Sequence, residues 1–167
     1  IRNILSIRGI SFNYRGKSIT ETPQSSQFYW YNKFRKGFAI PTSEAAKLLR
    51  SVGNDGWRVM LERSRLNNDE IFPQQLKDAG LEIITGRAMC QYIAKKPGHI
   101  RTMTQLYNMA SKFGLVATVE KPKVTLTTYH GAKGREAKKV ILITDCSPSA
   151  MDYAVKNPDY KRRLAYV

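Results

Sequence analysis

Val124 to Glu136 reads V-T-L-T-T-Y-H-G-A-K-G-R-E, and Lys139 to Asp145 reads K-V-I-L-I-T-D. Lys123 to Tyr129 alternates and is rich in β-branched residues, the pattern of a strand. The second stretch is an unbroken apolar run that ends in an acid. Such a run marks a strand buried on both faces of a parallel sheet, expected here over Val140 to Thr144. Ser147-Pro148 and Asn157-Pro158 each set a capping side chain before a proline, the device that opens a helix. The C-terminal third thus predicts strand, loop, strand, helix, helix, and the fold class is α/β.

The N-terminal segment supplies a matching piece. Ile1 to Ile7 reads as the last turns of a helix closed by Gly9, and Ile10 to Tyr14 (I-S-F-N-Y) alternates as a short strand. Arg15-Gly16-Lys17 is a basic turn. Between these ends, residues 24–113 read as nearly all helical. Phe28, Tyr31 and Phe34 recur at helical spacing in Gln24 to Lys36, and core packing explains them better than base stacking. Thr42 or Ser43 is expected to cap a helix running to Val52. Gly56 to Leu66 and the stretch from Phe72 to Gly80 are further helices. Thr85 is expected to cap a helix over Arg87 to Lys95, closed by Pro97-Gly98, and an amphipathic helix follows over 100–113. There is no internal repeat and no low-complexity segment.

The chain has 167 residues, 28 Lys and Arg against 13 Asp and Glu, and a net charge of +15. One domain of about 150 residues, or one with an insertion, is the expectation at this length. An apolar content of 42% excludes a disordered basic tail. The charge points to a polyanion, first of all nucleic acid, because neutralised phosphates release their condensed counterions. Residues 1–66 carry +8, residues 67–120 carry +1 and residues 121–167 carry +6. A polyanion surface is therefore expected where the two ends of the chain come together. The longest strongly apolar run, Val140 to Ile143, is far too short to span a bilayer, and no signal peptide is visible. Cys90 and Cys146 are isolated, and His99 and His130 are the only histidines, so no metal site is expected.

The loop after the first strand suits a phosphate contact. Threonine hydroxyls and backbone N–H groups at a strand end donate to phosphate oxygens, two glycines permit close approach, and Lys133 adds charge. It is not a Walker A loop, since G-x-x-x-x-G-K-[ST] occurs nowhere in the chain.

The same segment resembles motif V of the UvrD/Rep/PcrA-like superfamily 1 DNA helicases, whose pattern is roughly V-x-L-x-T-x-H-x-x-K-G-x-E followed by an apolar strand. It matches at Leu126, Thr128, His130, Lys133, Gly134 and Glu136. Lys161-Arg162-Arg163-Leu164-Ala165-Tyr166-Val167 is similar to the start of motif VI, and Leu5 to Ser18 is similar to the L-x-x-x-G-I-P-Y-x-x-x-G segment that follows motif IV. Some of the spacing resembles phage-type members.

The resemblance implies an incomplete RecA-like parallel sheet, the second motor domain of a P-loop NTPase-type helicase, with a mostly helical insertion. Residues 1–23 and 114–167 would form that domain, and 24–113 the insertion or accessory subdomain. It implies ATP hydrolysis with Mg2+ in a cleft shared with a first RecA-like domain, coupled to 3′-to-5′ movement on single-stranded DNA. Thr128, His130 and Lys133 would face the DNA, and Gly134 and Glu136 the nucleotide. It also implies a cytoplasmic setting in a bacterial or phage-infected cell.

Departures are Arg135, where the family has Leu, and Ala137, where an aromatic is common. Arg162 and Arg163 precede the motif VI arginine and are not assigned its role. The chain begins at Ile1 and stops at Tyr166-Val167, so it is expected to be a piece of a larger protein. With neither Walker motif nor the motif VI arginine, it is expected to carry no catalytic residue and to be inactive alone as an ATPase. Two other readings stay open: a stand-alone basic nucleic-acid-binding module without a motor, and a basic structural domain whose motif is coincidental.

Overall fold

A computed structural model of the chain describes residues 1–67, 69–141, 152 and 155–157. It forms two compact units, residues 1–131 and 132–167. The first opens with helix α1 (Arg2–Ile7), strand β1 (Phe12–Tyr14) and strand β2 (Lys17–Ser18). Gly9 turns the chain between α1 and β1 with φ of +71°. A Cβ there would meet the Met109 Cα at 3.1 Å, so glycine serves both the turn and a close backbone approach.

The helical middle comprises α2 (Pro23–Arg35), α3 (Thr42–Ser51), α4 (Trp57–Leu66), α5 (Pro73–Asp78), α6 (Ala88–Ile93) and α7 (Pro97–Phe113). Two short strands, β3 (Ile40–Pro41) and β4 (Glu70–Ile71), pair antiparallel between them. Phe28, Tyr31 and Phe34 are fully buried on one face of α2, as the aromatic spacing predicts, and join Leu48, Leu49, Met103 and Leu106 in the core. Each such side chain removed from water contributes about 1.5–3 kcal/mol, which exceeds what helix propensity alone supplies to elements this short. Cys90 is buried in the same core, and loss of solvation pushes its thiol pKa up.

Strand β5 (Val124–Leu126) returns the chain to its beginning. It pairs parallel with β1, Phe12 opposite Val124 and Tyr14 opposite Leu126, while β2 lies antiparallel on the other side of β1. The sheet is thus small and mixed, in the order β2-β1-β5, and the fold class is α/β as the sequence predicts. The segments before α2 and after α7 meet through a second contact. The buried Ser25 hydroxyl lies 2.8 Å from the Thr20 carbonyl and 2.7 Å from the Thr118 carbonyl, and its one proton serves one of them at a time.

Several local expectations are corrected. Among the described residues the parallel neighbour of β5 is β1, and the strand expected at Val140 to Thr144 falls only in part on described residues. Val140 and Ile141 are not in a strand and are 78% and 88% exposed, and residues 142–144 lie outside the described residues. Neither Thr42 nor Ser43 caps α3: Pro41 occupies the cap, and the Thr42 hydroxyl instead reaches the Asp69 carbonyl and carboxylate, each at 2.6 Å. Arg63 also binds the Asp69 carboxylate and, with Thr42, lowers its pKa. Thr85 does not cap α6, which begins after Arg87. Pro97-Gly98 opens α7 rather than closing α6, because proline lacks the N–H that an interior helical position must donate. The segments beginning at Ser147 and Asn157-Pro158 lie largely outside the described residues, as does all of Lys161 to Val167.

Tyr31 joins the core to a segment without regular structure. Its hydroxyl donates to the Glu82 carbonyl at 2.7 Å and accepts from the Ile84 N–H at 2.8 Å. Burial raises its pKa to about 12. Tyr31→Phe is expected to cost about 1–3 kcal/mol in denaturant unfolding, since both backbone partners are left unpaired. Because the folded pKa lies above the unfolded one, stability should hold below about pH 10 and fall as pH rises toward 12. That alkaline loss should be smaller in Tyr31→Phe.

Candidate nucleic-acid interface

The candidate loop begins where β5 ends. In a parallel pair both strands point the same way, so the residues after Leu126 and those after Tyr14 leave the sheet at one end. Thr127 and Thr128 therefore emerge beside the basic turn Arg15-Gly16-Lys17. Carboxyl ends of parallel strands are where α/β sheets bind ligands, since loops there are free to vary over a rigid base.

Thr127 and Thr128 are exposed. A single helical turn, α8 (Tyr129–Ala132), follows them. The Thr128 hydroxyl oxygen accepts from the Gly131 N–H at 3.2 Å, an N-cap contact. A hydroxyl that accepts one bond keeps its proton to donate, so the cap orients Thr128 without exhausting it. Thr127 donates to the Thr128 carbonyl at 3.3 Å. A Cβ at Gly131 would come within 2.5 Å of Thr127 Oγ1, so a side chain there would push the Thr127 hydroxyl aside. His130 belongs to this turn, but its side chain lies outside the described residues.

The remaining candidates fall in the second unit. Lys133 and Gly134 form an exposed turn, with the Arg135 N–H bonded to the Ala132 carbonyl at 2.9 Å. Gly134 has φ of +74°, and a Cβ added there would meet nothing within 4 Å, so its glycine serves the turn rather than close packing. Glu136 is exposed. Among the described residues the ion pairs are Lys47–Glu44 and Arg63–Asp69, so Lys133 and Glu136 have no charged partner there. Gly134 and Glu136 both lie exposed on the described part of the second unit. Among the described residues no group of three His, Cys, Asp or Glu side chains could hold a metal ion.

The structure brings Thr127, Thr128 and Gly131 together in one turn, and that turn follows β5 at the same end of the sheet where the basic turn follows β1. The motif pattern picks out Thr128 but leaves Thr127 unassigned. The signal for Thr127 is the glycine four residues on, which becomes meaningful only once the helical turn closes Gly131 against it. No helix among the described residues is long and apolar enough to cross a membrane. Comparison with protein-family models, curated proteins and solved structures returns no match.

The cap predicts a local effect. Thr128→Ala should speed amide hydrogen exchange at Gly131, while Thr128→Ser, which keeps the oxygen, should leave it slow. Global stability should change little, because exposed caps typically contribute about 1 kcal/mol.

Proposed function

We propose that this chain is the C-terminal part of an ATP-dependent DNA helicase of the UvrD/Rep/PcrA-like kind, a second RecA-like motor domain that grips single-stranded DNA during 3′-to-5′ movement. The observation that supports it is the parallel β1–β5 pair. It joins the two segments that carry the family resemblance, Leu5 to Ser18 and Val124 to Glu136, and turns their loops toward one end of the sheet. The net charge of +15 fits a phosphate polymer as the partner.

In this proposal Thr128 donates to a backbone phosphate from its capped position, and Lys133 and His130 contribute along the same loop. Lys133 acts as a mobile charge that neutralises without fixing geometry. Gly134 and Glu136 face a nucleotide held mainly by a first RecA-like domain of the parent protein, with Mg2+ supplied there. Nothing in this half acts as nucleophile or base; in phosphoryl transfer the protein positions and neutralises. A stand-alone nucleic-acid-binding module is the second reading, favoured by the exposure of Gly134 and Glu136.

The test is binding of a labelled single-stranded oligonucleotide across a salt series. Lys133→Ala should weaken binding and reduce the slope of log affinity against log salt by about 0.7, the share of one phosphate contact. Thr128→Ala should weaken binding at every salt concentration without changing the slope, because the hydroxyl is neutral. Unchanged binding in both variants would sink the motif assignment. The chain alone should show no ATPase activity. In the parent protein DNA-stimulated hydrolysis should fall with Thr128→Ala, whereas a module without a motor shows none to lose.

A further inference from the structure

A basic groove of the first unit is lined in part by Tyr14, the residue opposite Leu126, and uses none of the candidate loop's motif residues. Its wall combines Arg2 of α1, Tyr14 at the end of β1, Arg15 and Lys17 around the following turn, and Arg101 and Gln105 of α7. The residues lining it include no acid. None of the four cations has an acidic partner among the described residues, where the ion pairs involve Lys47 and Arg63 instead. All four are exposed.

Two of them are held in place. The Arg2 guanidinium carbon sits 4.6 Å from the centre of the Tyr14 ring, and that of Arg15 sits 5.2 Å from the same centre. The ring attracts both cations through its quadrupole and so offsets part of their mutual repulsion. A guanidinium held by a ring still has its N–H fork free for a phosphate, which it can grip through two parallel hydrogen bonds. Positive charge converging on one spot with no carboxylate to balance it is arranged for an anion from outside.

We propose that this groove binds the sugar-phosphate backbone of a single nucleic-acid strand, with Arg2 and Arg15 gripping one phosphate and Arg101 a neighbouring one. The identity of the polymer rests on the helicase proposal above; the charge of the groove does not. A single strand fits because Tyr14, which lines the groove, lies directly opposite Leu126, where the chain leads into Thr127 and Thr128. One strand could pass from the groove to that loop along the end of the sheet. No single stretch of sequence holds this site, since the basic turn Arg15-Gly16-Lys17 meets Arg2 of α1 and the distant Arg101 of α7 only in the folded chain.

The experiment measures binding of a labelled oligo-dT to the 167-residue chain across a salt series. Arg15→Gln and Arg101→Gln should each weaken binding by about fivefold and lower the salt slope by about 0.7. Lys77→Gln, which removes the same charge from outside the groove, should leave the slope unchanged. Circular dichroism checks that each variant is folded. Unchanged affinity and slope in both groove variants overturns the proposal. So does polyglutamate of equal charge that binds as tightly and depends on the same arginines. Loss in Lys133→Ala alone removes the groove and leaves the loop assignment standing. Loss in the groove variants alone supports the groove and removes the loop assignment.

Discussion

The parallel pairing of β1 with β5 is the constraint on which the rest of the first unit depends. Parallel neighbours cannot be joined by a tight hairpin and need a crossover connection. Here the crossover is the whole of residues 15–123. Every helix of the middle must therefore pack so that Val124 arrives beside Phe12 and in register. The entropy of closing so long a loop is met only by burying the core within it.

That core is built around α2. Phe28, Tyr31 and Phe34 give the helix one buried face, and Tyr31 spends its hydroxyl on the backbone of Glu82 and Ile84. Ser25 at the start of the helix reaches both Thr20 and Thr118, which lie near the two ends of the crossover. A buried hydroxyl left unpaired costs more than a paired one contributes, so these contacts act mainly to exclude other arrangements. Gly9 adds a steric condition, since only a residue without a Cβ lets the turn after α1 lie against Met109. The sheet end that carries the candidate loop is thus held by interactions far from it.

Much of this was legible from local pattern. The aromatic spacing of α2, the strand at Phe12 to Tyr14, the strand at Val124 to Leu126 and the glycine after α1 all follow from periodicity and turn chemistry acting over a few residues. The helix caps were less legible. Thr42 looks like a cap by type, yet its hydroxyl is taken by Asp69, a partner 27 positions on that no local window contains. The apolar run at Val140 reads as a buried strand, but its first two residues, Val140 and Ile141, are exposed, and the rest of the run lies outside the described residues.

The candidate site divides in the same way. The amino-acid sequence alone determined the basic charge, the helical middle between two α/β ends, and the motif residues Thr128, His130, Lys133, Gly134 and Glu136, because each is written in consecutive residues. Tertiary structure alone decided that β5 lies beside β1, that Thr127 and Thr128 share an end of the sheet with Arg15 and Lys17, and that Arg2, Arg15 and Arg101 line one groove around Tyr14. The physical reason is that strand pairing and charge convergence act between residues a hundred positions apart, and only the packing of the chain between them determines where they meet.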